Sequence, residues 1–376
     1  APPSLPIAGV DRAHLERARR LRLRGRGSTR PNPMVGCVIV AENRTVGRGW
    51  HTNAGGAHAE VVALGEAGEA ARGATAYISL EPCAHFGRTP PCTAALLDAG
   101  VTRVVYGAAD PGGESAGGGA ALAAAGIDVT GPCLTSHAAL VDNPAFFHRA
   151  RTGRLHVAAK LATGLDGRIA ARVGERTPVT GEAAVAEVHR MRAEYDAIAV
   201  GATTARVDDP LLTVRGEIVP PTPPVRIVLD ADAGLSLESS LVATLDEAPV
   251  WLFCSEDADE SRVEVIERAG VSVHPVPGRD TSDGERRLDL AAVLSVASDL
   301  GVTSLLVEGG GRLVDAFAGA KLLDRLHLFV APRVFGPAGV PAFPGDGIGE
   351  GWRQLEDPRR FGDDLRVTWD RIEGLD

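Results

Sequence analysis

The chain has 376 residues, 44% of them hydrophobic, and a formal charge of -10, with basic residues scattered along it rather than banked together. That length is too great for one ordinary core and predicts two domains. The acidic balance argues against nucleic acid or another polyanionic partner, whereas a small phosphorylated substrate needs only a local basic pocket.

Taken in order, Asp11 to Arg24 places Leu15, Ala18 and Leu21 at helical spacing among basic residues and ends at Gly25-Arg26-Gly27, which predicts an amphipathic helix with a glycine stop. Ser28 to Pro33 is a loop by its prolines. Met34 to Val40 is an apolar run suited to a buried strand, with Asn32 at its mouth. A second strand is expected over Thr45 to His51, after which Ala54-Gly55-Gly56-Ala57 delivers the chain to His58. Helix His58 to Ala71, strand Ala74 to Leu80, helix Pro91 to Ala99, strand Thr102 to Tyr106, helix Ala120 to Ala125 and strand Ile127 to Thr130 then alternate, which implies an α/β sheet.

Phe146 to Arg154 shows no clear periodicity, and the domain boundary is placed there, giving domains 1–148 and 149–376. The second half alternates again: strand Leu155 to Leu161, helix Glu182 to Arg192, strands Ala197 to Val200, Arg226 to Leu229 and Val250 to Cys254, then helices Ser261 to Arg268 and Leu288 to Leu300. Strand Ser304 to Val307, helix Arg312 to Ala318 and strand Arg325 to Ala331 follow, while Arg215 to Pro224 and Pro275 to Arg287 read as surface loops.

Chemistry concentrates in two short stretches of the first half. His58-Ala59-Glu60 opens a helix, and Glu81-Pro82-Cys83 runs on to Cys92. One imidazole and two thiolates make three protein ligands for zinc and leave the fourth tetrahedral position open, as a hydrolytic site requires. Glu60 lies close enough to serve as a proton carrier without being a ligand. H-x-E followed by P-C and a second Cys resembles the signature of zinc nucleobase deaminases, although eight residues, Ala84 to Pro91, separate the cysteines here instead of two. A helix starting near Pro91 places Cys92 on its first turn, where the dipole favours a thiolate.

The remaining cysteines, Cys37, Cys133 and Cys254, have no visible pairing pattern, which fits a reducing compartment. No apolar run approaches the length of a membrane span, and the N-terminus shows no charged segment followed by an apolar one, so a cytoplasmic protein without a membrane partner is expected.

The insertion itself carries a resemblance. Glu81-Pro82-Cys83-Ala84-His85-Phe86-Gly87-Arg88-Thr89-Pro90-Pro91-Cys92 resembles the deaminase half of the bifunctional riboflavin-pathway deaminase-reductases. By that resemblance Asn32, His51, His85, Arg88 and Asp110 hold the pyrimidine, ribose and phosphate. Taken singly, Asn32 reads equally as a turn residue, His51 as a strand-end histidine and Asp110 as a cap. The family usually continues Asp-Pro with Asn, and this chain has Gly112 there.

Lys160-Leu161-Ala162-Thr163-Gly164-Leu165-Asp166-Gly167-Arg168 resembles the opening of the family's reductase half, as do Arg192, the run Thr204 to Arg215 and Glu308-Gly309-Gly310-Gly311-Arg312-Leu313. The fold implied is a cytidine-deaminase-like three-layer α/β/α domain followed by a dihydrofolate-reductase-like α/β domain. The resemblance also implies zinc and NADPH as cofactors and a homo-oligomer. Ala162, Thr204, Asp208, Gly309, Gly310, Gly311, Arg312 and Leu313 are assigned to NADPH on this basis. Lys160, Asp166, Arg176, Arg192, Leu212, Arg215 and Glu308 are assigned to the substrate of the reduction. The glycine run by itself is weak, because G-x-G-x-x-G is absent and such turns are common. Arg176 and Pro178 replace a serine and a tryptophan of the family pattern, and Gly164 another serine.

The implied function is hydrolytic deamination of a 2,5-diamino-6-(phosphoribosylamino)pyrimidinone, then NADPH-dependent reduction of its ribosyl group to ribityl. The alternative is a specialised paralogue with a working zinc deaminase and a weakened or retargeted reductase.

Overall fold

The computed structural model describes residues 7, 9–86, 90–113, 115–280, 286–345 and 347–371. They form two compact units, which divide between Gly153 and Arg154. The expected boundary at 148/149 falls inside a helix, Pro144–Thr152, which belongs to the first unit. That helix covers most of Phe146 to Arg154, where the sequence shows no clear periodicity, and follows a further helix, Ser136–Asp142. Both ends were marked in the sequence: Thr135 caps the first helix by accepting from the Ala138 amide, and Pro144 occupies the first turn of the second.

The first unit is a five-stranded sheet. Strands β1 (Gly36–Ala41), β2 (Arg44–Trp50), β3 (Thr75–Leu80), β4 (Arg103–Ala108) and β5 (Asp128–Thr130) stand in the order β2-β1-β3-β4-β5. The first three pair antiparallel, and β3, β4 and β5 run parallel. Alternate residues sort to opposite faces, as strand geometry demands. Cys37, Ile39, Ala76, Ile78 and Val104 pack with Ala59, Ala63, Leu96 and Leu122, while Val38, Val40, Tyr77 and Val105 pack with Leu15 and Ala18. Three layers result, with helix α1 (Gly9–Arg22) on one face and α2 (Ala59–Ala67), α3 (Cys92–Asp98) and α4 (Gly118–Ala124) on the other.

Glycines in β2 set how closely α2 sits on the sheet. A Cβ on Gly49 would stand 2.1 Å from the Ala59 carbonyl oxygen, and one on Gly47 2.1 Å from that of Ala63. Only backbone without side chains admits the helix at that distance, and the first turn of α2 carries Glu60.

The second unit holds a ten-stranded sheet. Seven strands run parallel in the order Ser272–Val276, Val250–Ser255, Val225–Leu229, Ala197–Gly201, Ser304–Val307, His156–Thr163, Arg325–Val330. Asp364–Arg371 pairs antiparallel with the last of these and carries the short strands Trp352–Gln354 and Arg359–Phe361. Helices cover both faces: Ala184, Val188 and Met191 pack on Ala158 and Leu306, and Val314 and Phe317 on Val157, Ala159 and Leu305. In an open parallel sheet, ligands bind beyond the carboxyl ends of the strands, and residues 160–164, 201–208 and 308–311 lie at such ends.

The expected loop Pro275–Arg287 contains part of an edge strand, Ser272–Val276, and the pairing of Gly278–Asp280 with Arg286–Leu288. Proline is tolerated there because an edge strand leaves one side of its backbone unpaired. Among the described residues, no helix is long and apolar enough to cross a membrane.

Candidate active sites

In the first unit the strand ends and helix starts converge on one point. His58 is the N-cap of α2, Cys83 follows β3, and Cys92 is the first residue of α3. Nδ1 of His58 lies 3.2 Å from Cys92 Sγ and 3.5 Å from Cys83 Sγ, and the backbone amide of Cys92 donates to Cys83 Sγ at 3.3 Å. The three donor atoms lie within 4.8 Å of one another. One nitrogen and two sulfurs so placed can hold a tetrahedral zinc ion and leave its fourth position open. Among the described residues, no other group of three His, Cys, Asp or Glu side chains meets in this way.

Ionisation agrees with that use. The hydrogen bond from Cys92, against the cost of burial and with help from His58, pulls the Cys83 thiol down to about 4. The same bond and burial push Cys92 upward. Glu60 is 3% exposed, and burial raises its pKa, with His58 pulling the other way. A carboxyl group raised in this way suits a carrier that takes and returns protons near neutral pH.

Around these groups the structure brings together several predicted residues. Nδ2 of Asn32 is 3.2 Å from Nε2 of His51, whose Nδ1 is 3.1 Å from the Ala57 carbonyl oxygen. The His51 ring meets that of His58 edge to face at 5.5 Å. Burial holds His51 below its ordinary pKa, with His58 acting the same way and the Ala57 carbonyl opposing. Asp110 accepts from the Gly112 amide at 2.8 Å, so the backbone of Gly112 reaches the carboxylate where the family pattern has a side chain. His85 is half-buried, with Nδ1 enclosed and without a partner among the described residues. Arg88 lies outside the described residues.

Two positions escaped sequence reasoning. Glu81 receives the amides of Asp110 at 3.1 Å and Gly119 at 3.0 Å, tying the end of β4 to α4 beside the metal turn. Asn143 accepts from the Met34 amide at 2.8 Å and donates to its carbonyl at 3.1 Å, which fixes the segment after Asn32. Glu81 sits within the Glu-Pro-Cys stretch and could have been noticed; nothing in the sequence marks Asn143 as a partner of Met34.

In the second unit Arg192 and Glu308, far apart in sequence, form a paired fork. Nε and Nη2 of Arg192 donate to the two carboxylate oxygens at 2.6 and 2.9 Å, and Nη1 donates to the Thr213 carbonyl at 2.9 Å. Burial opposes ionisation of Glu308, but Arg192 prevails and its pKa is lowered. Burial lowers the pKa of Lys160, while Glu308 and Asp208 support its charge and Arg192 opposes it. Thr204 and Asp208 share a face of helix Ala202–Asp208, four residues apart, and Asp208 feels Arg176 and Lys160.

Gly310 is the N-cap of helix Gly311–Gly319, with no side chain capping that terminus, and its amide donates to Thr204 Oγ1 at 3.2 Å. A Cβ on Gly311 would stand 2.1 Å from the Ala342 carbonyl oxygen, so the helix start is pressed against backbone. A nine-residue helix start without a side-chain cap, beside a hydroxyl, is the kind of terminus that can take the pyrophosphate of a dinucleotide such as NADPH. Leu212 is 2% exposed, and the Arg215 amide donates to Nδ1 of His189 at 3.2 Å. His189, three residues before Arg192 on one helix, was not singled out by sequence.

The remaining predicted residues have contacts of other kinds. The Asp166 carboxylate accepts from the amides of Phe335 and Gly336 at 2.9 and 2.8 Å, which makes it a loop anchor. Ala162 packs against the apolar cluster around Phe329, and Leu313 against the core beneath the glycine turn. Arg312 is exposed, and Pro178 is exposed with its carbonyl accepting from Arg333 at 2.8 Å.

Comparison with known proteins is consistent with both sites. The cytidine and deoxycytidylate deaminase zinc-binding region matches residues 9–108, and the RibD C-terminal domain matches residues 155–366. Riboflavin biosynthesis protein RibD of Bacillus amyloliquefaciens is 34% identical over 378 residues, covering 98% of each chain. That of Aquifex aeolicus is 36% identical over 373 residues, covering 98% of this chain and 97% of its own. This chain belongs to the RibD family. The solved RibD structure of Acinetobacter baumannii superposes with a TM-score of 0.82 at 33% identity, covering 96% of this chain and 99% of that one. A Thermotoga maritima diaminohydroxyphosphoribosylaminopyrimidine deaminase/5-amino-6-(5-phosphoribosylamino)uracil reductase gives 0.81 at 29% identity, with the same coverage. As a member of the family the protein is a deaminase and reductase of riboflavin biosynthesis, dependent on zinc and NADPH.

Proposed function

We propose that the first unit deaminates 2,5-diamino-6-(phosphoribosylamino)pyrimidinone by hydrolysis and that the second reduces the ribosyl group of the product to ribityl. The convergence of His58 Nδ1, Cys83 Sγ and Cys92 Sγ beside a buried Glu60 carries this reading. These three residues would hold zinc, which when bound supplies the Lewis acidity that makes water a nucleophile near neutral pH. Glu60 would take one proton from the attacking water and pass it to the ring nitrogen, then take the second from the hydroxyl of the adduct and deliver it to the departing amino group, which leaves as ammonia while the carbonyl forms. Asn32 and His51 orient the pyrimidine, and Asp110 and His85 hold the same substrate in this proposal. Arg88 completes the phosphate contact in this proposal.

In the second unit NADPH would rest its pyrophosphate on the Gly309-Gly310-Gly311 turn beside Thr204, and when bound it supplies the reducing equivalent. Arg192 keeps an orientation fixed by Glu308 and, with Arg215, holds the substrate phosphate. A guanidinium suits that task because its planar donors engage two oxygens at once. Lys160, buried near Glu308 and Asp208, is placed to give a proton to the opened ribose. All five cysteines are free and buried, which supports a reducing, cytoplasmic setting.

Zinc-loaded protein incubated with the diaminopyrimidine should release ammonia and give the deaminated product without NADPH, and the ribityl product with it. Mass analysis of both mixtures decides the matter. Ammonia release without any NADPH consumption would defeat the second half of the proposal, and no ammonia release would defeat the first.

A further inference from the structure

Arg226 heads the fully buried side chains by volume, at 0% exposure, and sits on strand Val225–Leu229 in the middle of the parallel sheet. Its Nη1 donates to the Leu211 carbonyl at 3.2 Å and to Thr244 Oγ1 at 2.7 Å. Its Nη2 donates to the Thr244 carbonyl at 2.8 Å and to the Ala248 carbonyl. Every one of these acceptors is a neutral oxygen. Burial lowers the pKa of this guanidinium, and Glu247 and Asp246 support its charge only through space. A cation enclosed without a bonded carboxylate is a poor device for stability alone, since an apolar side chain of similar volume commonly does as well or better.

What the cation grips is an unusual piece of backbone. Asp209 and Leu212, on either side of Pro210-Leu211, both have left-handed φ angles of 40° and 52°. Non-glycine residues keep such conformations only where their surroundings over-determine them. Here the carboxylate of Asp209 accepts from the Ser240 amide at 2.7 Å and its hydroxyl at 2.6 Å, while Arg226 takes the Leu211 carbonyl. The next residues then meet the reductase cluster: the Thr213 carbonyl accepts from Arg192 and the Arg215 amide donates to His189.

We propose that Arg226 is a positioning residue for the reductase substrate: it locks the left-handed turn at Leu212 and so sets where Thr213 and Arg215 present themselves to Arg192 and His189. This inference rests on the proposed placing of the substrate phosphate between Arg192 and Arg215. The planar fork matters because it bridges the turn to two further backbone carbonyls at once, which the single ammonium of a lysine does not do.

The test uses the zinc-loaded full chain with Arg226→Lys and, in parallel, Thr244→Val, which removes one acceptor and leaves the cation in place. In Arg226→Lys the KM for the deaminated pyrimidine should rise about tenfold, with the KM for NADPH and the rate of ammonia release changed by less than about twofold. Amide hydrogen exchange over residues 209–215 should quicken about tenfold in the absence of ligand. Thr244→Val should shift both readouts the same way by about threefold and stays informative if Arg226→Lys fails to fold. Unchanged exchange over 209–215 in a folded variant overturns the proposal, as does a parallel fall of every kinetic constant. A wild-type protein that consumes no NADPH would instead overturn the functional reading, and the exchange measurement would still decide the role of Arg226.

Discussion

The proposed deaminase site takes its three donor atoms and its carboxylate from residues 58–92, whereas the proposed reductase site joins Lys160, Arg192, Thr213 and Glu308 from four separate elements. In the first, a helix start and a turn are brought to one point that a metal can cross-link. In the second, a buried ion pair and backbone hydrogen bonds must do the holding. The difference predicts different failures. A side-chain change at the first site should remove chemistry and spare the fold, while a change at the second should disturb both.

The largest expected effect tests the first half of that contrast. Glu60→Gln should lower ammonia release about a thousandfold, in line with loss of a general acid-base group, with zinc content and NADPH consumption on supplied deaminated substrate unchanged. Metal analysis alongside the two assays checks it. Loss of zinc in this variant would show that the carboxylate helps to hold the metal, and the contrast would weaken.

Glu308→Gln tests the other half. Removing the carboxylate leaves Arg192, whose side chain is 12% exposed, without its ion-pair partner. Breaking such a pair costs about 3 kcal/mol, so the second unit should unfold earlier in urea and reductase turnover should be lost, with deamination retained. The contrast breaks if stability is untouched.

Acid sharpens it further. His327 is buried, with Nδ1 3.1 Å from Thr368 Oγ1 and Nε2 3.5 Å from the Tyr195 hydroxyl. Burial, Arg325 and Arg366 hold its pKa well below the ordinary 6.5. The unfolded chain therefore binds a proton that the folded one refuses: the stabilisation is complete above pH 6.5 and declines as pH falls from there toward the folded-state value. The slope from this one group is at most about 1.4 kcal/mol per pH unit. Unfolding curves of wild type and His327→Gln across this range should differ by that slope, the variant being the flatter.

A smaller effect is expected from Gly311→Ala. The added methyl meets the Ala342 carbonyl oxygen, which is backbone and yields only by moving the helix start. The KM for NADPH should rise several-fold, by about 1 kcal/mol, with ammonia release unaltered.

These contrasts also explain what the sequence disclosed. His58, Glu60, Cys83 and Cys92 lie in two short stretches whose residue types already suggest their chemistry, so the candidate metal cluster was legible before any fold was known. The α/β alternation of the first unit was legible in its apolar runs, while its three-layer order was implied by the family resemblance; the register of β1 and β3 sorts the apolar residues to the two faces. Strand Asp364–Arg371 was missed for a physical reason: its buried residues are Asp364, Arg366, Thr368 and Asp370. They face inward because Arg325 pairs with Asp370 at 2.6 Å and Arg366 with Glu187 at 2.6 Å. A polar inward face inverts the pattern on which strand reading depends. Likewise, the partners of Arg192 and Arg226 are backbone oxygens as well as side chains, and a backbone oxygen has no signature in sequence.

Asp166 makes the smallest prediction and the most discriminating one. Family resemblance puts it beside the reacting centre; its contacts put it on an exposed turn, bonded to the amides of Phe335 and Gly336. Burial is the largest single influence and raises its pKa, but the amide bonds from Gly336 and Phe335 together outweigh it and hold the carboxyl below the ordinary carboxylate value. An amide oxygen in Asp166→Asn can still accept from both, so reductase turnover and the KM for NADPH should stay within about twofold of wild type. A residue that touched the substrate or moved a proton would lose far more on the same change. A drop beyond tenfold, with ammonia release intact, would mean that the 333–336 loop reaches the reductase site through this side chain and that the site extends further from the Arg192–Glu308 pair than its contacts indicate.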